Sequence, residues 1–132
     1  MTGGSDRPVP YQYAVLKAVP RVDRGETINI GVVLYCQARE YLAAEVSIDV
    51  DRLRALCPSV DADGVAKAAR AVVEAAAEPV GSARESRGQA VRFGVLSAPR
   101  STVVQPSAVH AGLTRDPATT LAALVDRLVR NP

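Results

Sequence analysis

Alternation of apolar and polar side chains with a period of two dominates the first third of the chain and predicts β-strands. The segments that show it are residues 11–19, which end at Pro20, residues 27–36 and residues 41–48. Only short polar connections separate them, so successive strands should be antiparallel neighbours. The pattern therefore predicts a three-stranded meander. Its second strand, the most continuously apolar, should be central and buried on both faces, with residues 28, 30, 32, 34 and 36 sharing one face.

Helical periodicity follows the meander. Aspartates suited to capping precede each apolar run: Asp49 or Asp51, Asp61 or Asp63, and Asp116. The first two helices should end near Pro58 and Pro79. The last helix is the clearest element, because Pro117 suits its first turn and the residues at 121, 124, 125, 128 and 129 form one apolar stripe.

Residues 79–92 are rich in Gly, Ser, Pro and charge and predict a solvated loop. Residues 93–96 return briefly to the core, and residues 102–105 and 108–111 predict a fourth strand and a fifth. Residues 1–10 are expected to be a disordered tail, and residues 11–130 a single domain. The predicted fold class is α+β, with an antiparallel sheet of four to five strands packed against two to three helices.

Composition excludes several classes of protein. Sixteen basic and fourteen acidic residues give a formal net charge of +2, which makes nucleic acid an unexpected partner. No apolar run reaches the ~20 residues that a membrane-spanning helix needs. Cys36 and Cys57 form no CxxC pair, which favours a reducing cytoplasm. The familiar catalytic and cofactor motifs are absent, and one histidine cannot build a multi-histidine metal site, so we expect no cofactor and no metal.

Two polar clusters interrupt apolar stretches and are the candidate sites. The first covers residues 24–31 and contains Arg24, Glu26 and Asn29. Asn29 and Gly31 should share a strand face, where a ligand or another backbone can approach. The alternative is structural: Asn29 satisfies backbone groups at the turn, and Arg24 pairs with Glu26.

The second cluster covers residues 97–102 and is followed by Gln105 and His110. Arg100, flanked by hydroxyl groups that include Ser101, suits a phosphate or carboxylate. The alternative is that these hydroxyl groups bond their own loop backbone. His110 is the candidate catalytic base, with Ser107 or Ser101 as nucleophile and Asp116 to orient it. More often such a histidine is simply hydrogen-bonded between a strand and a helix.

Four segments resemble a bacterial family, the domain of unknown function numbered 3037. They are YAVLKAVP (13–20), RGETINIGVVL (24–34), APRSTVVQ (98–105) and VHAGLTRDP (109–117), and the resemblance runs from about Tyr11 to Arg130. At Gly94-Val95 the chain departs from the aromatic residue that is common in the family. The residues that match the motifs coincide with the two clusters: Arg24, Glu26, Asn29, Arg100, Ser101, Gln105 and His110.

The resemblance implies no established activity. Family members are frequently encoded beside a HipA-like serine/threonine kinase, which implies an accessory role in a toxin–antitoxin or defence setting. We therefore expect a non-catalytic, cytoplasmic domain that binds a protein partner, with such a kinase as the first candidate and a homo-oligomer as a further option. The alternative is a small enzyme or ligand-binding domain for a phosphate-bearing molecule, with Arg24 and Arg100 as anion contacts and His110 as acid or base.

The two clusters are also expected to meet. Polar groups at the start of a buried strand need partners, because a buried unpaired polar group costs ~1–3 kcal/mol. We expect Arg24, Glu26 or Asn29 to contact the side chain of Arg100, Ser101 or His110 at one edge of the sheet.

Overall fold

The computed structural model describes residues 7–21, 23–79, 85–100 and 102–131. Its strands are β1 (Val9–Ala18), β2 (Ile28–Cys36), β3 (Tyr41–Val46), β4 (Val104–Pro106) and β5 (His110–Thr114). Its helices are α1 (Val50–Leu56), α2 (Ala62–Ala77), α3 (Glu85–Leu96) and α4 (Pro117–Val125). A 3-10 turn, Gln37–Arg39, lies between β2 and β3, and a π-helix, Asp126–Arg130, continues α4. The fold class is α+β, as the sequence predicts.

The five strands form one antiparallel sheet in which β1 pairs on both sides. On one side β1 pairs with β2, which pairs in turn with β3, so the predicted meander with β2 inside it is confirmed. On the other side, residues 16–18 of β1 pair with β4 and residues 9–13 pair with β5. At the break between β4 and β5, the Ser107 amide donates to the Val15 carbonyl at 2.8 Å and its Oγ accepts from the Val15 amide at 2.9 Å. β4 and β5 are therefore two pieces of one interrupted edge.

Helices cover both faces of the sheet. One face packs against α1, α2 and α3, through β-strand residues such as Leu16, Val33 and Tyr35. The opposite face packs against α4, where Val32, Leu34 and Cys36 meet the apolar stripe of the last helix. β2 is buried on both faces because it lies beneath helices on each side.

An extra residue in β2, Ile30, interrupts the alternation of side chains near the start of that strand. Gly31 pairs with Leu16, whereas Asn29 pairs with the next residue of β1, Lys17, which is the register of a β-bulge. Ile30 packs in the core beneath α1–α3, and Asn29 reaches the end of α4 on the opposite face. The prediction that residues 28, 30, 32, 34 and 36 share one face is wrong, and so is the prediction that Asn29 and Gly31 share a face. Both assumed a period of two throughout the strand.

Three of the predicted aspartate caps are confirmed. The carboxylates of Asp49, Asp61 and Asp116 accept backbone N–H groups at the starts of α1, α2 and α4. Each bond satisfies a donor that the first turn of a helix leaves unpaired. At Asp116, hydrogen bonds from Thr119 and from backbone N–H groups hold the pKa of the carboxyl below its usual range. Among the described residues, no helix is long and apolar enough to cross a membrane.

α3 includes residues 85–92 of the segment for which the sequence predicts a loop, and residues 80–84 of that segment lie outside the described residues. The described residues therefore form four helices, where the sequence predicts two to three. Phe93 and Leu96 are buried, whereas Val91 and Val95 are exposed. The helix therefore shows no continuous apolar stripe that a sequence pattern would reveal. Packing of the Phe93 ring against Tyr35, with centroids 5.6 Å apart, secures it instead.

Strand boundaries also differ from the sequence prediction. β1 begins at Val9, within the predicted tail, because its first residues pair with β5. Pro10 is tolerated there, since pairing with β2 starts only at Gln12 and the missing N–H breaks no ladder bond. β5 covers His110–Thr114, where the sequence predicts residues 108–111.

Two glycine substitutions test the packing around the bulge. A Cβ at Gly31 would lie 2.6 Å from the Glu45 carbonyl oxygen and 2.6 Å from Val46 Cγ1, so Gly31→Ala should destabilise the fold by ~1–3 kcal/mol. Gly94, in the middle of α3, has nothing within 4 Å of the added atom, so Gly94→Ala should stabilise by ~0.5–1 kcal/mol. Urea unfolding followed by circular dichroism measures both, and equal effects would contradict the close approach of β2 and β3.

Candidate functional site

The first sequence cluster begins in an exposed turn. Arg24 Nε lies 2.7 Å from Glu26 Oε1, and both side chains are exposed. Gly25, between them, has a φ of 72°, a conformation that glycine adopts without strain. This geometry matches the structural alternative for Arg24 and Glu26, in which the two side chains pair with each other.

Asn29 joins the sheet to the last helix. Its Nδ2 donates to the Leu128 carbonyl at 3.1 Å, and Arg52 Nη1 donates to the Val129 carbonyl at 3.4 Å. Carbonyl groups at the end of a helix lack partners within the helix. Asn29 and Arg52 supply those partners and hold the π-helix against β2 and α1.

A cleft of about 310 Å³ lies beside this junction and is lined in part by Asn29, Ser47 and Arg52. Its second arginine, Arg130, pairs with Asp126 at 2.8 Å and with Glu45 at 3.2 Å. Arg52 thus joins the end of the last helix to α1, and the Arg130–Glu45 pair joins it to β3.

The second cluster is spread over a loop and β4. Arg100 is exposed and donates to the Val95 carbonyl at the end of α3. Gln105 Nε2 donates to the Thr102 carbonyl at 2.9 Å. Ser101 lies outside the described residues.

His110 is exposed at the start of β5 and contacts Tyr13, with ring centroids 5.2 Å apart. Within the described part of the chain, no hydrogen bond joins His110 to Ser107 or Asp116. Ser107 instead hydrogen-bonds to the Val15 backbone of β1, and Asp116 caps α4. The described residues therefore do not bring together the Ser–His–Asp set considered from the sequence.

The described residues show no polar contact between the two clusters, and the part of the prediction that rests on Ser101 lies outside those residues. In the ranges that the structure describes, no hydrogen bond or ion pair joins Arg24, Glu26 or Asn29 to Arg100 or His110. The clusters instead meet on either side of β1. Lys17 pairs with Asn29 of β2 and with Gln105 of β4, so these three side chains form one row on the α4 face.

Beside α4, this face of the sheet carries a surface that we call the β1 shelf, formed by Tyr11, Tyr13, Lys17, Gln105 and His110. β1, β4 and β5 contain no aspartate or glutamate. α4 packs chiefly over β2 and β3, so it lies beside the shelf. The tyrosines and Lys17 are half-buried and His110 is exposed. The shelf therefore combines aromatic rings with a lysine and has no carboxylate on its strands.

The tyrosine rings are positioned by their neighbours. Tyr11 and Tyr13 stack with centroids 5.9 Å apart and planes 26° apart. The Tyr11 ring lies over Gly112, where a Cβ would come within 2.8 Å of it, so glycine lets the ring lie against the backbone of β5. Burial raises the pKa of the Tyr11 hydroxyl, Tyr13 adds to that effect, and the charge of Arg127 opposes it.

The sequence prediction missed Lys17, Tyr11 and Tyr13, although a signal was present. All three occupy odd positions of one period-two strand and so share a face. Lys17 is one of only two lysines, and it interrupts the apolar strand β1, which lies in the sheet between β2 and β4. No group of three His, Cys, Asp or Glu side chains that could hold a metal occurs among the described residues.

A scan against protein-family models matches residues 13–129 to the family described as "Protein of unknown function (DUF3037)". The chain belongs to this family. No curated protein and no solved structure matches it. The family match covers the sheet except the start of β1, together with α1–α4, so the motif residues described above lie within the matched range.

Asn29 and Arg24 should differ sharply in their effect on stability. Asn29→Ala leaves the Leu128 carbonyl without its donor and should lower the free energy of unfolding by ~1–3 kcal/mol. Arg24→Ala breaks only an exposed ion pair and should cost ~0–1 kcal/mol. Urea midpoints of the two variants compare them, and an Asn29→Ala protein as stable as Arg24→Ala would contradict the role of Asn29 as a tether.

Proposed function

We propose that this domain is a non-catalytic module that binds a protein partner by adding a strand of the partner along β5. The observation that carries the proposal is the open, apolar edge of the sheet at that strand. Leu113 is 69% exposed and Val109 41% exposed, although both are large aliphatic side chains. An extended peptide can pair with such an edge through its backbone while its side chains cover the exposed ones.

The backbone of β5 supports this mode of binding. Alternate residues of an antiparallel strand direct their N–H and C=O groups to opposite sides. The Val15 backbone forms its hydrogen bonds on the side of β1 that faces β4 and β5. Tyr13, two residues earlier in the same strand, must direct its backbone groups to that side as well. Its partner His110, and Gly112 two residues further along β5, therefore bond to β1. The backbone groups of Ala111 and Leu113 then point away from the sheet, where a partner strand can bond to them.

The edge also lacks the usual protection. Natural edge strands are commonly shielded by charged side chains, prolines or bulges. β5, with the sequence HAGLT, contains no proline and no Asp, Glu, Lys or Arg. An unprotected edge with exposed leucine and valine fits a strand that is covered in a complex.

The proposed partner is a HipA-like serine/threonine kinase, the neighbour that the family resemblance implies. The proposed setting is the cytoplasm, where the free thiols of Cys36 and Cys57 stay reduced. The other occupant that the edge would accept is a second copy of this chain, and the experiment below separates the two.

Binding to a HipA-like kinase is measured by size-exclusion chromatography with light scattering and by calorimetry. We expect a heteromeric complex that Leu113→Glu and Ala111→Pro each weaken at least tenfold, or ~1.4 kcal/mol. Leu113→Glu places a charge in the apolar contact, and Ala111→Pro removes an outward N–H that the fold itself does not use.

Val91→Glu is the matched control, because Val91 is 64% exposed but lies on α3. It should leave the kinase affinity unchanged. Separate elution of the two wild-type proteins at micromolar concentration would contradict the proposal, as would equal weakening by Val91→Glu. A homodimer that Ala111→Pro dissociates, with no kinase binding, would assign the edge to a second copy.

A further inference from the structure

The β1 shelf has two chemically different ends. Tyr13 and His110 are paired at one position of the β1–β5 ladder, and Lys17 lies four residues further along β1. At ~3.3 Å per residue this separation is ~13 Å. One strand face thus presents an aromatic surface and a cation at a fixed distance.

The aromatic end is preorganised. The Tyr13 and His110 rings lie 5.2 Å apart with planes 31° apart, and Tyr11 continues the row at 5.9 Å from Tyr13. At these spacings the rings pack face against face and do not lie side by side, so a planar heterocycle can pack against their outer edges and against the exposed His110 ring. His110 adds ring nitrogens that can hydrogen-bond, and it is exposed to solvent.

The cationic end is Lys17. Its neighbours across the sheet, Asn29 and Gln105, are neutral amides, and each donates one hydrogen bond elsewhere, to the carbonyl of Leu128 or of Thr102. Directly opposed side chains lie ~5 Å apart, so the two amides flank the lysine stem. Among the described residues no carboxylate pairs with Lys17, and the strands around it carry none. The charge is available to an anionic group.

We propose that the β1 shelf binds a free nucleotide, with the base packed against Tyr13 and His110 and the phosphates at Lys17. A nucleoside carrying an extended phosphate chain has an aromatic group and an anion at its two ends, as the shelf requires. A polynucleotide would need a continuous track of cations along its backbone. The shelf strands offer one lysine and the neighbouring α4 extension offers Arg127, which favours a single nucleotide.

The test titrates the intact chain separately with ATP, GTP, CTP and UTP by calorimetry. We expect saturable binding of at least one triphosphate. Adenosine alone and inorganic triphosphate alone each engage only one end of the shelf and should bind at least ~10-fold more weakly than ATP. Binding of triphosphate alone as tightly as ATP would overturn the role of the rings.

Two lysine variants form a matched pair. Lys17→Met keeps the aliphatic stem but removes the charge, and should weaken nucleotide binding at least ~10-fold. Lys67→Met makes the same change at an exposed position on α2 and should leave the affinity unchanged. His110→Ala should also weaken binding severalfold by removing part of the aromatic surface. Thermal unfolding of each variant confirms that it is folded.

Three results would overturn the proposal. The first is no heat signal with any triphosphate up to ~1 mM. The second is equal weakening by Lys17→Met and Lys67→Met, which would show attraction to net charge alone. The third is much tighter, steeply salt-dependent binding of a single-stranded oligonucleotide, which would replace the free nucleotide with a polymer. Leu113→Glu should not alter nucleotide affinity, so failure of this proposal and failure of the kinase proposal are distinguishable.

Discussion

The single extra residue in β2 determines which side chains meet on each face of the sheet. Ile30 enters the core under α1–α3, and the residues before it are displaced by one position in the ladder. Asn29 consequently reaches the Leu128 carbonyl at the end of α4, and it stands beside Lys17. Without the bulge, the amide would lie on the α1–α3 face, among apolar side chains, where an unpaired polar group is costly. The bulge therefore fixes the position of the last helix and completes the polar row of the shelf.

β1 connects these features because it pairs on both sides. Its partner on one side is the long strand β2, and its partners on the other side are the short strands β4 and β5. Ser107 preserves hydrogen bonding where the two short strands separate. β5 then contributes His110 to the shelf and presents Leu113 at the open edge. Two surfaces of different chemistry, one aromatic and cationic and one apolar, thus share a five-residue strand.

Sequence periodicity correctly predicts those strands and helices in which the spacing of apolar residues stays regular from end to end. The meander, the caps at Asp49, Asp61 and Asp116, and the apolar stripe of α4 all follow from local pattern. α3 could not be predicted from the sequence, because only Phe93 and Leu96 bury it against the sheet and Phe93 does so by packing on Tyr35. The sheet face on which Asn29 lies could not be predicted from the sequence. The inserted residue of the bulge, Ile30, is apolar like its neighbours, so the sequence pattern does not reveal the insertion. The shelf requires knowledge of which strands pair, since its residues come from β1, β4 and β5.

Nuclear Overhauser spectroscopy of the free protein tests the central claim, that the bulge turns Asn29 toward α4 and into the row with Lys17. Contacts from the Asn29 side-chain amide protons to Leu128, together with backbone contacts of Lys17 to both Asn29 and Gln105, are the predicted result. Contacts from the Asn29 amide to Leu53 or Val65, in the core on the opposite face, would contradict it.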